Sequence, residues 1–262
     1  MKIFIIVTII LVFLNGNSLP SRVIDQSLTL KNNLIAGKNQ KMMKVNNDTL
    51  IVRKCRNFTL TGMGDESEWE MTKWNQLTKL DSGGNDYRSR FKILYSEKGI
   101  YLLFNGEDEK ITTQATQDFG AIYNGDAFEV FFHPNPQIPN YFEYEINQLN
   151  KVLILMISRK NDKGYDWIPW HYQNENQMTT LVDVVGGKME AGGAIRSWSA
   201  EVFFPYGILD LLDNTPPKSG TVWNANFCRL DYDSGLMIKW SWSPRIKKSF
   251  HELQNFLSIK FE

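Results

Sequence analysis

The 262-residue sequence has only two cysteines and three histidines, and its formal net charge is zero, 29 Lys and Arg balancing 29 Asp and Glu. Each scarcity excludes something. Two cysteines, Cys55 and Cys228, do not make a disulfide scaffold, and no CxxC or CxxCH occurs. A zinc ribbon, a thioredoxin-type redox site and c-type haem attachment therefore have no support. Two buried thiols are expected, with a single long-range bridge as the alternative. His133, His171 and His251 share no ligand spacing. Without a basic excess the chain is not a general nucleic-acid binder. GxSxG, HExxH and P-loop patterns are all missing. Beyond the first residues, no apolar run is long enough to span a membrane.

What is present points to a large core. Hydrophobic residues make up 42% of the chain and aromatics 13%. That excludes a disordered tail and favours sheets over helical bundles. Lys2 and the apolar run Ile3–Leu14, interrupted only by Thr8, read as a secretory signal cleaved near Gly16-Asn17-Ser18. The expected organisation is a signal over residues 1–18, an Asn/Lys/Gln-rich leader or linker over 19–50, and one domain over 51–262. The mature protein is expected to be exported, to the periplasm or beyond the cell.

Short alternating segments then succeed one another, separated by Gly, Pro, Asn and Asp. Strands are expected at 89–96, 99–104, 126–133, 141–148, 152–158, 179–185, 197–204, 222–232, 236–242 and 257–261. Only Tyr206–Leu212 looks helical, and Pro216-Pro217 stops it. With no βα alternation, this is an all-β, antiparallel β-sandwich with one short helix.

Strand period sorts the faces. Phe128, Val130 and Phe132 point to the core, so Glu129 points away. Phe142, Tyr144 and Ile146 oppose Glu143, Glu145 and Asn147. Trp223, Ala225 and Phe227 oppose Asn224, Asn226 and Cys228. Carboxylates and amides gathered on one sheet face match sugar hydroxyls, which both donate and accept hydrogen bonds. The plain alternative is a solvated polar face. Aromatics off the core pattern (Trp69, Trp74, Tyr123, Trp167, Trp170 and Phe250) offer stacking surfaces for sugar rings. Glu129 with Glu145 also suits a glycosidase-type pair. The acidic stretches Asp81–Asp86 and Glu107–Glu109 read as solvated loop charge rather than as calcium loops.

Taken in order, these residues resemble the family 9 carbohydrate-binding modules, in particular the stand-alone family-9-like proteins. The resemblance is carried by Gly64-Asp65 with Trp69, by Gly99-Ile100-Tyr101-Leu102, and by the strand Gly125-Asp126-Ala127-Phe128-Glu129-Val130-Phe131-Phe132. It continues through Tyr144–Asn147, Trp198–Val202 and Trp223–Asn226 with Arg229. It ends on Trp242-Ser243-Pro244 and Phe250-His251. Roughly residues 50–262 are covered. The resemblance implies a sandwich that binds sugar without catalysis, often at a glycan chain end. By the same resemblance Glu129, Glu145, Asn147 and Asn226 make the hydrogen bonds, Tyr123 and Phe250 sandwich the ring, and Arg229 belongs to the site. Structural calcium accompanies the family, but its ligands are not matched here, and no other cofactor is implied. The expected partners are an oligo- or polysaccharide and the glycoside hydrolases of the same pathway. Two alternatives stand beside this reading. One is a glycoside hydrolase or an accessory of one. The other is a haem-binding DOMON-like sandwich using Met63, Met178, Met189 or Met237.

Overall fold

The computed structural model describes residues 49–159, 165–170 and 176–262. The expected signal, the leader up to residue 48 and His171 lie outside the described residues. The compact unit runs over Asp48–Glu262.

The described residues form fourteen strands. They are β1 (Thr49–Lys54), β2 (Asn75–Gln76), β3 (Thr78–Lys79), β4 (Ser89–Tyr95), β5 (Gly99–Glu107), β6 (Ala127–His133) and β7 (Asn140–Ile146). Then come β8 (Val152–Arg159), β9 (Tyr165–Pro169), β10 (Thr179–Val185), β11 (Ser197–Pro205), β12 (Val222–Asp231), β13 (Ile238–Ser241) and β14 (Leu257–Phe261). One sheet has the order β10-β11-β5-β4, and the other β14-β12-β6-β7-β8-β9, with β13 beside β12. Neighbours are antiparallel except at β1. Its first four residues pair parallel with β14, and Arg53 and Lys54 pair parallel with Leu94 and Tyr95 of β4. One strand thus joins both sheets at their margin.

Alternation dictates what fills the space between the sheets. Phe128, Val130 and Phe132 meet Phe142, Tyr144, Ile146, Trp223 and Phe227 there, all fully buried. Aromatic stacks cross the gap. Phe104 of β5 lies on Phe128 of β6 with centroids 4.7 Å apart, and Phe91 of β4 lies on Phe227 of β12 at 4.0 Å. Trp198 and Trp240 belong to this core, and Trp242 packs against it.

The expected helix at Tyr206–Leu212 is a single 3-10 turn over Tyr206–Leu209. The Asp210 N–H bonds Gly207 O and the turn goes no further. Three more such turns, Ser67–Met71, Ile122–Asn124 and Leu253–Asn255, occupy stretches that read as loops. Cys55 and Cys228 are free and buried in separate clusters on the outer faces of the two sheets. Among the described residues no helix is long and apolar enough to cross a membrane.

Candidate functional site

The outer face of the β6-β7-β8-β9 region floors a cleft of about 730 Å³. Pairing register sets its rows. Glu129 of β6 faces Glu145 of β7, which faces Leu153 of β8. The next row is Glu143, Leu155 and Pro169, and the one after is Tyr141, Ile157 and Trp167. Three glutamates therefore occupy one end of the floor and aliphatic side chains the middle. Directly opposed residues on paired strands have Cβ atoms about 5 Å apart, so Glu129 and Glu145 are immediate neighbours.

All three carboxyls are buried, with 2–4% exposure. Burial pushes Glu129 well above the ordinary carboxyl range, and the charges of Glu145 and Glu143 push it further. Burial does the same to Glu143, with Glu145 adding to it. Burial raises Glu145 to about 8, against the pull of hydrogen bonds from Glu143 and the Tyr123 main chain. The shared cause is loss of water around charges of one sign. Oε2 of Glu143 and Oε2 of Glu145 are buried without a hydrogen-bond partner. His251 is near, its Nδ1 3.9 Å from Glu143 Oε2 and 2.7 Å from Tyr141 Oη. Burial lowers its pKa to about 4, so it is neutral at pH 7 and offsets no charge.

The walls are aromatic but unequal. Tyr123 is 48% exposed, and Tyr232 Oη donates to its carbonyl at 2.8 Å. Phe250 reaches the cleft, yet it is 7% exposed and packs edge-on to Phe131, so it offers little free face. The far wall is Trp167, 60% exposed. Two strand spacings of about 4.8 Å separate it from β7, and it stands one row beyond Glu143, which puts it more than about 10 Å from the carboxyls, at the other end of the cleft.

The structure thus gathers Tyr123, Glu129, Glu145 and Phe250, and adds Glu143, Trp167 and His251. It does not bring the other expected residues to the cleft. Asn147 is fully buried in the turn after β7, donating to Thr113 Oγ1 at 3.1 Å and Ala115 O at 2.9 Å. Asn226 is equally buried. Its Oδ1 accepts from Ser241 Oγ and Ser243 N, and its Nδ2 donates to Cys228 Sγ. Both amides are consumed by the fold.

Arg229 lies between the sheets with zero exposure, on the same side of β12 as Phe227. Its Nη2 meets Asp231 Oδ2 at 2.6 Å and Asp108 Oδ2 at 3.1 Å, and its Nη1 donates to Glu107 O and Ser89 Oγ. Gly106 makes room for it, since a Cβ there would fall 2.6 Å from Nη1. Trp69 is likewise structural, donating from Nε1 to Glu201 at 2.6 Å. Of the methionines weighed for haem, Met178 is core and Met63 and Met189 are exposed away from the cleft. Only Met237 lines it.

Asp108 corrects the reading of its loop as solvated charge, for it is buried. With Asp126 and Asp233 it presents carboxylate oxygens within 4.8 Å of one another. Burial, reinforced by neighbouring aspartates, lifts Asp108 to about 8 and Asp126 to about 7, although Arg229 pulls Asp108 down. Gln148 donates from Nε2 to both, while its Oε1 is buried without a partner. Turned over, the amide would add an oxygen to the three carboxylates. This donor set fits a hard cation such as calcium, held by Asp108, Asp126, Asp233 and Gln148. Such an ion would offset the buried negative charge. In chelator, the folded-state pKa values lie above the unfolded value near 4. The contribution of Asp108 and Asp126 to stability is then full below about pH 4 and is lost as pH rises to about 8. A melting temperature several degrees lower at pH 8 than at pH 5, with the gap narrowed by calcium, is the expected result. A flat profile in a thermal scan counts against it.

Residues 60–187 match the family model described as carbohydrate family 9 binding domain-like. That segment belongs to the family 9 carbohydrate-binding domain-like family. The family-9-like fold extends further in solved structures. A candidate carbohydrate-binding protein from Bacteroides uniformis ATCC 8492 is 16% identical, with a TM-score of 0.67 over 82% of this chain and 99% of that one. A family 9 module from Caldicellulosiruptor kristjanssonii, solved with glucose, is 16% identical, with a TM-score of 0.55 over 82% of this chain and 95% of its own. The same organism's module solved with cellotriose is 15% identical at a TM-score of 0.55, covering 82% and 93%. No curated protein matches the family-9-like chain.

Proposed function

We propose that this is an exported, non-catalytic protein that captures carbohydrate for polysaccharide breakdown, working beside glycoside hydrolases. The observation that carries this reading is the cleft itself. Buried carboxyls aimed at its floor can bond sugar hydroxyls, and Tyr123 and Trp167 supply half-exposed aromatic faces for rings. Related modules hold glucose and cellotriose, which supports a β-linked glucan end as one ligand. The N-terminal apolar run supports export.

A hydrolase would need its two carboxyls driven apart, one protonated as acid and one ionised. Here burial drives all three glutamates the same way. That favours binding over turnover, and the purified chain is expected to leave aryl glycosides and oligosaccharides uncleaved.

The test of the site is a glycan array followed by titration of the parent and of Glu129→Ala. Loss of a buried hydrogen-bonding carboxyl is expected to weaken binding by about 1–3 kcal/mol, roughly fivefold to 150-fold. Unchanged affinity in a folded variant would move the sugar away from this face. Trp167→Ala is expected to weaken a trisaccharide more than a monosaccharide, because the tryptophan stands at the other end of the cleft from the carboxyls.

A further inference from the structure

We propose that the cleft selects carbohydrate bearing a free amine, an unacetylated 2-amino-2-deoxyhexose, whose ammonium lodges among Glu129, Glu143 and Glu145. The inference rests on the carbohydrate-binding reading and names its ligand class.

The argument begins with charge. Three carboxyls on two adjacent strands share one end of the floor. Among the described residues the only basic side chain within ion-pair reach of them is His251, 3.9 Å from Glu143. The other ionisable groups facing them add no cation. Cys228 of β12 lies across from Glu129, buried with its thiol protonated, and the Tyr232 phenol is raised by burial and by Glu129. Lys239 lies on the cleft lining, but Asp81 Oδ1 is 3.6 Å from its ammonium; Lys248 is at the rim, and no ion pair joins it to the glutamates. Among the described residues the site therefore holds three buried carboxyls and no fixed cation to balance them once they ionise.

Neutral hydroxyls would bond these oxygens but bring no charge to stabilise their ionised form. An ammonium brings one positive charge and three N–H donors. It would supply donors for Glu143 Oε2 and Glu145 Oε2, the two oxygens that now have none. Charge-assisted bonds of this kind are about twice as strong as neutral ones. The ring attached to such an amine would still need a stacking face, and Tyr123 stands beside Glu145 to provide one.

The pH dependence has a defined sign. The amine binds the ionised carboxyls, so its binding displaces protons from the cluster. Its affinity should rise as pH climbs towards 8, until the ligand amine loses its own proton. Neutral sugar has no such requirement.

The experiment is calorimetry on the full chain, in chelator, with fully deacetylated chitotriose, N-acetylated chitotriose and cellotriose at pH 5.5, 6.5 and 7.5. The expected result is a preference of about tenfold for the free amine over cellotriose at pH 7.5, shrinking at pH 5.5 and absent for the acetylated ligand. Glu143→Gln and Glu129→Gln, which keep shape and fold, should each reduce that preference. Cellotriose binding as tightly as the amine would overturn the inference and leave the carbohydrate reading standing. Silence towards all three ligands would overturn both. Calcium that competes with the amine in the parent but not in Glu143→Gln would mean a metal occupies the carboxyls, which also overturns it.

Discussion

Arg229→Ala is expected to melt about 6–20 °C below the parent. The substitution removes one partner from a buried ion cluster, leaving Asp108 and Asp231 dry and without the guanidinium that pairs with both. Breaking such a pair from one side costs about 3–5 kcal/mol. For a domain of this size each kcal/mol moves the midpoint by roughly 2–4 °C. The guanidinium also bridges the sheets, since it bonds the β5 carbonyl of Glu107 and lies over the rings of Tyr87 and Trp240 at 5.1 and 5.3 Å. Arg229→Lys keeps the charge but loses the fork, so it should fall between the two. Thermal melts followed by circular dichroism measure this directly. A variant that melts like the parent but fails to bind sugar would place Arg229 in the binding site after all.

Glu201→Ala should cost about 3 kcal/mol and leave the cleft unchanged. Glu201 is fully buried on the outer face of β11 and gathers the loop over that sheet. Its Oε1 accepts from Trp69 Nε1 at 2.6 Å, and its Oε2 accepts from Thr61 N at 2.8 Å and from Gly62 N. Truncation leaves three donors without an acceptor, each worth about 1–3 kcal/mol if it stays dry. Water admitted by the loosened loop limits the total. The loop also buries Leu60 and Trp69 against Leu94, Tyr101 and Leu103. Indole fluorescence shifted to the red, together with the lower midpoint, would report Trp69 coming into water. A parent-like spectrum would show that apolar contacts alone hold the loop. Glu201→Gln retains one acceptor oxygen and should lose less.

The contrast between these two residues and the glutamates shows what alternation can and cannot reveal. Period two predicted the core faces of β6, β7 and β12 because each carries apolar residues at three successive alternate positions. It also put Glu129, Glu143 and Glu145 on the face away from the core, where the cleft lies. The same parity puts Arg229 with Trp223, Ala225 and Phe227, on the inner side, so its burial was legible from spacing. The family resemblance pointed the other way. Asn147 and Asn226 were read to the correct face, but periodicity says nothing of which hydrogen bonds a residue has already made. Both amides are used by turns and neighbouring strands a few residues away. Strand β1 escaped notice because Thr49–Lys54 is mostly exposed and its partners, β4 and β14, are more than forty residues distant. Strand β9 escaped because Trp167 and Pro169 look like loop residues, and their place is fixed only by the β8 edge.

Strand β1 has a mechanical meaning as well. It runs parallel to β14, with Thr49 beside Ser258 and Val52 beside Phe261. Tension applied between Thr49 and Phe261 would pull the two strands along their length in opposite directions. Their hydrogen bonds would then bear the load together, in shear, rather than opening one after another like a zipper. Held at one end of the domain while ligand or matrix drags on the other, the fold would resist in the geometry that best delays forced unfolding, a process governed by the unfolding rate rather than by equilibrium stability.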